Sequence, residues 1–415
     1  MSLTVVANAS LLLGRSLSFV DKGFIEIEGG IIKSAGRGEY KARSDCRIID
    51  AKSLLVLPGF INAHTHIADS IGKDIGIDSG LDARVHPVFG AKKKILNKSR
   101  PEHLKAFIRS SAISMMSKGI VAFADFREGG LQGLELLQDA ISGLPVKCIK
   151  LGRIDIYFKP GTADRLSTES LRQARSVFEA GDGLGISGAN ENTDGSLEQY
   201  ASLRRRLRLG LRGIQPRNSK KKLIAIHAAE SADTMSRSKF STGRTEVERI
   251  MDHLKPDFIV HMTNASDHDI SLVAESGTGV VICPRANGAL GAGLPRVAKM
   301  LKSGCLLAIG TDNVMLNSPD IFRELDYLWK ACRAVEGVLV DPKELLKMAT
   351  VNAAEILGLN SGCIEAGRAA DLMFVDKNHI DLSPVHNPYA SLVHRASQSS
   401  IRALMIDGRF AGEID

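Results

Sequence analysis

Pro58-Gly59-Phe60-Ile61-Asn62-Ala63-His64-Thr65-His66 decides how this chain is read. An apolar run, Leu54-Leu55-Val56-Leu57, leads into a Pro-Gly break and then into two histidines one residue apart. In a strand, side chains i and i+2 point to the same face. The pair therefore sets two imidazoles side by side, where they can hold one metal ion from one side. Imidazole suits zinc, iron, copper and nickel, so the pair leaves the ion open. A strand with two incidental histidines is the competing reading. The rest of the chain argues against it by supplying further ligand-type residues in a sensible order.

Upstream of this stretch the chain reads as short strands. Thr4-Val5-Val6, Leu11-Leu12-Leu13, Phe24-Ile25-Glu26-Ile27 and Ile31-Ile32 are separated by polar turns and by Gly29-Gly30. The last fifty residues read the same way, with Asp371 to Val375 and Ile401 to Ile406 before Asp407-Gly408. Chain ends often lie close together, so residues 1–57 and 364–415 are expected to form one small β-sandwich domain. Between them, short apolar strands alternate with helical stretches such as Leu104 to Met116 and Val297 to Lys302. The strands are Ile120 to Ala124, Cys148 to Leu151, Leu184 to Ile186, Leu223 to Ile226, Phe258 to Val260, Val280 to Ile282 and Leu306 to Ile309. With the strand entering His64 they make eight. The α/β pattern predicts a (β/α)8 TIM barrel over 58–363, in preference to a doubly wound sheet.

In such a barrel, chemistry sits at the carboxyl ends of the strands. The first strand ends in His64 and His66, the fifth in His227, the sixth in His261 and the eighth in Asp312. Glu230 follows His227 by three residues, within His227-Ala228-Ala229-Glu230. Each ending alone is weak; their joint placement carries the signal.

The pattern resembles the amidohydrolase superfamily, in particular the cytosine-deaminase-like branch that includes chlorohydrolases and S-adenosylhomocysteine deaminases. The residues carrying the resemblance are Pro58 to His66, His227-Ala228-Ala229-Glu230, His261 and Gly310-Thr311-Asp312. Leu345 to Leu357 resembles the family's last barrel helix, and Glu365 to Leu372 its return into the small β domain. The resemblance implies one divalent metal ion, zinc ahead of iron, held by His64, His66, His227 and Asp312. It implies that His261 touches the attacking water or the substrate, and that Glu230 shuttles protons. Side-chain chemistry agrees: Asp312 can accept a proton from water, protonated Glu230 can donate to a ring nitrogen or leaving group, and His261 can stabilise developing charge. Binuclear relatives use a carboxylated lysine on the fourth strand. None stands in Gly183 to Gly188, and Lys150 on the third strand is a poor substitute, so a single ion is expected.

Many deaminases of this branch carry a histidine-rich segment after the fourth strand. Here that place reads Ile186-Ser187-Gly188-Ala189-Asn190-Glu191-Asn192-Thr193, with no histidine. Three other residues are candidates for substrate contact. Arg127 ends the second strand, where it can pair with a substrate carboxylate or phosphate. Arg285 and Asn287 follow the seventh strand. The long segment Ile67 to Arg100, containing His86, is expected to cap the pocket.

The expected activity is hydrolysis of a non-peptide carbon–nitrogen bond, deamination of a heterocyclic or nucleoside-like small molecule. A cyclic amide hydrolase of imidazolone type, or a chlorohydrolase, uses the same site. A non-enzymatic basic binding protein is the reading from another class, since the net charge is +7 and much of it sits between Arg204 and Lys222. No aromatics interleave there to stack bases, and Leu203, Leu207 and Leu211 recur at helical spacing. An amphipathic helix with a solvated basic face is expected, and no nucleic acid. No apolar run approaches the ~20 residues of a membrane span. Met1 to Leu13 lacks the basic start of a signal peptide. Six scattered cysteines without a CxxC pair predict reduced thiols in the cytoplasm. Family habit adds a homodimer or larger homo-oligomer.

Overall fold

A computed structural model describes residues 3–41, 46–157, 164–209 and 221–411. Eight parallel strands form its centre: β1 (Phe60–His66), β2 (Ile120–Arg127), β3 (Lys147–Gly152), β4 (Gly183–Gly188), β5 (Leu223–Ala228), β6 (Phe258–His261), β7 (Gly279–Ile282) and β8 (Leu307–Ile309). Each pairs with the next. Beyond β8 the chain passes Gly310 and Thr311, and Asp312–Asn313 pairs in parallel with Thr65 and His66 of β1. That pairing returns the last strand to the first. Gly310 is what allows it: a Cβ there would lie 2.6 Å from His64 Cβ and 2.9 Å from the His64 backbone N and O. The Thr311 N–H donates to His64 O at 3.1 Å.

The strands are rich in Val, Ile and Ala and buried on both faces, as parallel strands covered by helices must be. Pro101–Met116, Gly130–Ile141, Thr168–Ala180, Asp194–Leu209, Ala232–Thr242, Asp267–Ser276 and Ile321–Ala331 are the longer helices. The last stretch, read from sequence as one helix over Leu345 to Leu357, is two: Pro342–Met348 and Val351–Leu357. The break has a function in packing. The Ala349 carbonyl accepts from the Ile61 N–H of β1 at 2.8 Å and so leaves the helical ladder.

The chain ends make a second sheet. Its order is Arg409–Phe410, Ile401–Ile406, Leu372–Asp376, Leu54–Pro58, Leu3–Leu13, Ser18–Glu28 and Ile31–Arg37, with Cys46–Asp50 also pairing with Leu3–Leu13. Thr4 to Val6 and Leu11 to Leu13, read as two strands, belong to one strand that bulges at Asn8, where φ is 60°. The sheet gathers its own core of Val6, Leu11, Ile25, Ile32, Val56, Phe374 and Met405. Leu54–Pro58 runs antiparallel to Leu372–Asp376 and hands directly to β1. The hinge is Gly59: its N–H donates to Asp371 O at 2.9 Å, and a Cβ there would meet Val121 at 2.3 Å. Pro58-Gly59 is thus the step from one sheet into the other.

Helix Asp194–Leu209 buries Leu197, Tyr200 and Leu203. Arg204 reaches Lys255 O and Asp257, and Lys221 pairs with Asp257 at 2.6 Å. Leu211, Arg212, Arg217 and Lys220 of the basic stretch, and the side chain of Leu207, lie outside the described residues. Among the described residues no helix is long and apolar enough to cross a membrane.

Candidate metal centre and cavity

The carboxyl ends of β1, β5, β6 and β8 converge. His64, His66 and His227 bring one ring nitrogen each to within 4.8 Å of one another, and Glu230, His261 and Asp312 bring their polar atoms within the same span. Asp312 Oδ1 lies 3.2 Å from His64 Nε2 and 3.7 Å from His66 Nε2. The backbone here is unusual. Ala229, His261, Met262 and Asp312 have φ of 52°, 79°, 53° and 58°. Left-handed conformations at non-glycine residues cost about 1–3 kcal/mol each and cluster at functional sites. They turn the chain sharply off the strand ends, so that His261 and Asp312 point inward.

Backbone carbonyls set the imidazole tautomers. His66 Nδ1 lies 3.1 Å from Phe126 O, and His227 Nδ1 lies 2.9 Å from Ile186 O. A carbonyl only accepts, so Nδ1 carries the hydrogen and Nε2 keeps its lone pair for the cluster. Burial keeps these rings neutral. It pushes the His64 pKa down to about 3, outweighing the Asp312 carboxylate beside it. Burial also lowers His66, and lowers His227 well below the usual imidazole range. Asp312 resists the same burial. The hydrogen bond from His64 and the neighbouring imidazoles hold its carboxyl well below the carboxylate range. Three neutral imidazoles and one carboxylate are the donor set of a borderline-soft divalent ion, and neutral His is its ligating form. The buried His64 Nδ1 has no hydrogen-bond partner of its own.

His261 Nδ1 faces Asn287 Oδ1 at 3.0 Å, and the Asn287 amide donates to Thr263. Its Nε2 lies 3.6 Å from Glu230 Oε2. Burial raises the Glu230 pKa, with His261 opposing. The cluster floors a cleft of about 660 Å³ of empty space, open to solvent at its mouth. Leu81, Val85, His86 and Pro87, from the segment after β1, form one wall; Arg153, Glu191, Arg237 and Glu246 form another. His86 is stacked on Phe89, with ring centroids 3.8 Å apart.

The substrate-contact expectations need correction. Arg127 does not line this cavity. Side chains alternate along β2: Phe126 points in, its ring centroid 4.4 Å from that of His64, so Arg127 points out. Its Nε lies near Gly133 in the covering helix Gly130–Ile141. Arg285 faces away too, toward Asn317, the Ser318 carbonyl and buried Glu324. Asn287 is buried behind His261 and orients it rather than lining the cavity. Lys150 Nζ binds exposed Gln138 Oε1 at 2.7 Å, well outside the barrel. Sequence reasoning missed Lys92, Glu128, Arg153 and Glu191. Strand alternation was a usable signal for Glu128, since it shares the parity of Phe126.

An amidohydrolase family model matches residues 55–411. The chain belongs to the amidohydrolase family. It is 38% identical over 409 residues, 99% of each chain, to a protein of Methanothermobacter thermautotrophicus named "Putative aminohydrolase". It is 27% identical to a 5-methylthioadenosine/S-adenosylhomocysteine deaminase of Thermococcus sibiricus, over 98% of this chain and 93% of that one. Its fold matches a zinc-bound adenosine deaminase from Xanthomonas campestris at a TM-score of 0.79 and 19% identity, covering 98% and 92% of the two chains. This amidohydrolase is therefore a carbon–nitrogen hydrolase by family and a metal-site protein by donor set.

Proposed function

We propose that this amidohydrolase deaminates a heterocyclic or nucleoside-like small molecule at a single-metal site. His64, His66, His227 and Asp312 hold the ion, zinc in preference to iron. The observation that carries this is the convergence of three neutral imidazoles and one charged carboxylate beside Glu230 and His261. The deaminase names of its relatives support the bond broken. Bound there, a divalent ion supplies the Lewis acidity that makes water nucleophilic near neutral pH.

The chain's own residues do the rest. Asp312, held charged, accepts the proton from the attacking water. Glu230, whose pKa burial raises, donates in its protonated form to the ring nitrogen next to the attacked carbon. Asp312 then passes its proton to the amino group, Glu230 regains a proton from the added hydroxyl as it becomes a carbonyl, and the carbon–nitrogen bond breaks to release ammonia. Glu230 Oε2 and His261 Nε2 stand 3.6 Å apart, so the two groups face the same reacting atoms. Asn287 keeps His261 oriented for this. The cavity wall from Leu81 to Pro87 screens the reaction from water.

The free thiols of Cys148, Cys283, Cys305, Cys332 and Cys363 support a reducing compartment, the cytoplasm. The test is ammonia release by the zinc-loaded protein from a panel of aminopurines, aminopyrimidines and aminopterins. Release from none of them rejects deamination. Ring opening, read as loss of ultraviolet absorbance without ammonia, would redirect the proposal to a cyclic amide.

A further inference from the structure

Glu128 stands where three elements meet, and none of the chemistry above uses it. Its Oε1 lies 3.0 Å from His66 Nδ1, 2.7 Å from Lys92 Nζ and 3.1 Å from Arg153 Nη2. Glu128, Lys92 and Arg153 are only 5%, 5% and 8% exposed. Its Oε2 has no hydrogen-bond partner and lies 4.0 Å from Arg127 Nη1, so Oε1 carries the three close contacts. Lys92 belongs to helix Ala91–Lys98, in the same segment whose residues Leu81 to Pro87 wall the cavity. The next residue, Lys93, pairs with Asp155, two positions beyond Arg153. The segment is tied to the barrel mouth through these pairs, through Asp82 to Arg237 and through Asp69 to Asn313 and the Met315 N–H, and the Lys92 tie ends on the atom that touches His66.

We propose that Glu128 and Lys92 are positioning residues for His66. Glu128 Oε1 and Phe126 O face the same Nδ1–H, at 3.0 and 3.1 Å, and the carboxylate adds its charge to the carbonyl's hold in aiming Nε2 at Asp312. Lys92 makes that aim depend on the segment from Ile67 to Arg100 being seated over the cavity. A carboxylate behind a ligating histidine fixes its tautomer and orientation, and losing such a partner costs roughly 10–100-fold in metal affinity. The consequence is an ion held tightly while the segment is down and released when it lifts. This rests on the reading of His66 as a ligand.

Zinc chloride is titrated into metal-free protein against a chelating dye, and zinc loss from loaded protein is timed in excess chelator. Glu128→Gln is expected to raise the zinc Kd by about 10–100-fold. Lys92→Met is expected to speed zinc release by about tenfold and, in parallel, to speed proteolytic cutting within residues 67–100. Lys92→Arg should restore both toward the wild type. Circular dichroism of each metal-free variant confirms the fold. If Glu128→Gln does not fold, Glu128→Asp, which keeps the charge but withdraws the oxygen, replaces it. Folded variants with wild-type zinc affinity and release overturn the proposal. Faster release without faster cutting overturns the part assigned to Lys92. A wild-type chain that binds no zinc overturns instead the reading of His66 on which the proposal rests.

Discussion

Gly310→Ala tests how the barrel closes and whether that closure builds the site. Its Cβ would sit 2.6 Å from His64 Cβ and 2.9 Å from the His64 backbone N and O. Carbon atoms settle at about 3.5–4.0 Å, so the two strands must part by roughly 1 Å. Neither side yields easily. His64 is fully buried, and Gly310 is pinned by its own N–H bond to Ile282 O at 2.9 Å. Overpacking of this kind costs about 1–3 kcal/mol, which for a chain of this size lowers Tm by roughly 1–4 °C. The larger effect falls on the site. Asp312 lies two residues on and now meets His64 Nε2 at 3.2 Å. Moving a catalytic group by about 1 Å typically costs ~10²-fold in rate. Differential scanning fluorimetry, zinc titration of metal-free protein and ammonia release measure the three effects. Gly80→Ala is the control, because its Cβ meets nothing within 4 Å and its φ is −69°. A Gly310→Ala protein with wild-type Tm and wild-type zinc affinity would refute the reasoning.

Four more expectations follow from the same geometry. Glu230→Gln keeps the shape but loses the proton donor, so kcat should fall by about 10²–10⁴-fold while zinc content stays at the wild-type level; unchanged kcat would remove Glu230 from the chemistry. Asn287→Ala strips His261 Nδ1 of its acceptor, with about 1–3 kcal/mol of stability lost and kcat lowered more than KM is raised; a pure KM effect would place Asn287 on the substrate instead. Arg127→Met should leave KM within roughly twofold, because the side chain points away from the cavity; a tenfold rise would return Arg127 to the site. Glu324 is fully buried, and burial lifts its pKa to about 8, against the pull of Arg285. The folded state thus keeps a proton that the unfolded chain releases near the ordinary carboxyl pKa of ~4.3. Its contribution to stability falls as pH rises from about 4.3 to about 8 and is flat beyond. Glu324→Gln should therefore lose less Tm between pH 5 and pH 8 than the wild type, and equal losses would contradict the assignment.

Much of the architecture was readable one segment at a time. Apolar runs such as Ile224 to Ile226 and Val280 to Ile282 gave the strands. His64, His66, His227, His261 and Asp312 drew notice because each ends such a run. What periodicity could not show was direction at the strand ends. Arg127 and Glu128 are neighbours and both charged; Phe126 packed on His64 shows that the Arg127 stem leaves the far face of the strand, while its Nη1 still comes to 4.0 Å from Glu128 Oε2. Arg285 was readable as a polar residue after β7. Its partner Glu324 is 39 residues away, and nothing local announces that pairing.

Residue type and spacing alone determined the strand-and-helix alternation and the chemistry available at the mouth of the barrel, because both depend on interactions within a few residues. The tertiary structure decided which polar groups share the cavity. Closure through Gly310 sets Asp312 against His64. Left-handed turns at His261 and Asp312 aim them inward. Helix Ala91–Lys98 brings Lys92 onto Glu128 behind His66. Those contacts join residues far apart in sequence, and their existence depends on how the strands close and where the segment after β1 comes to rest.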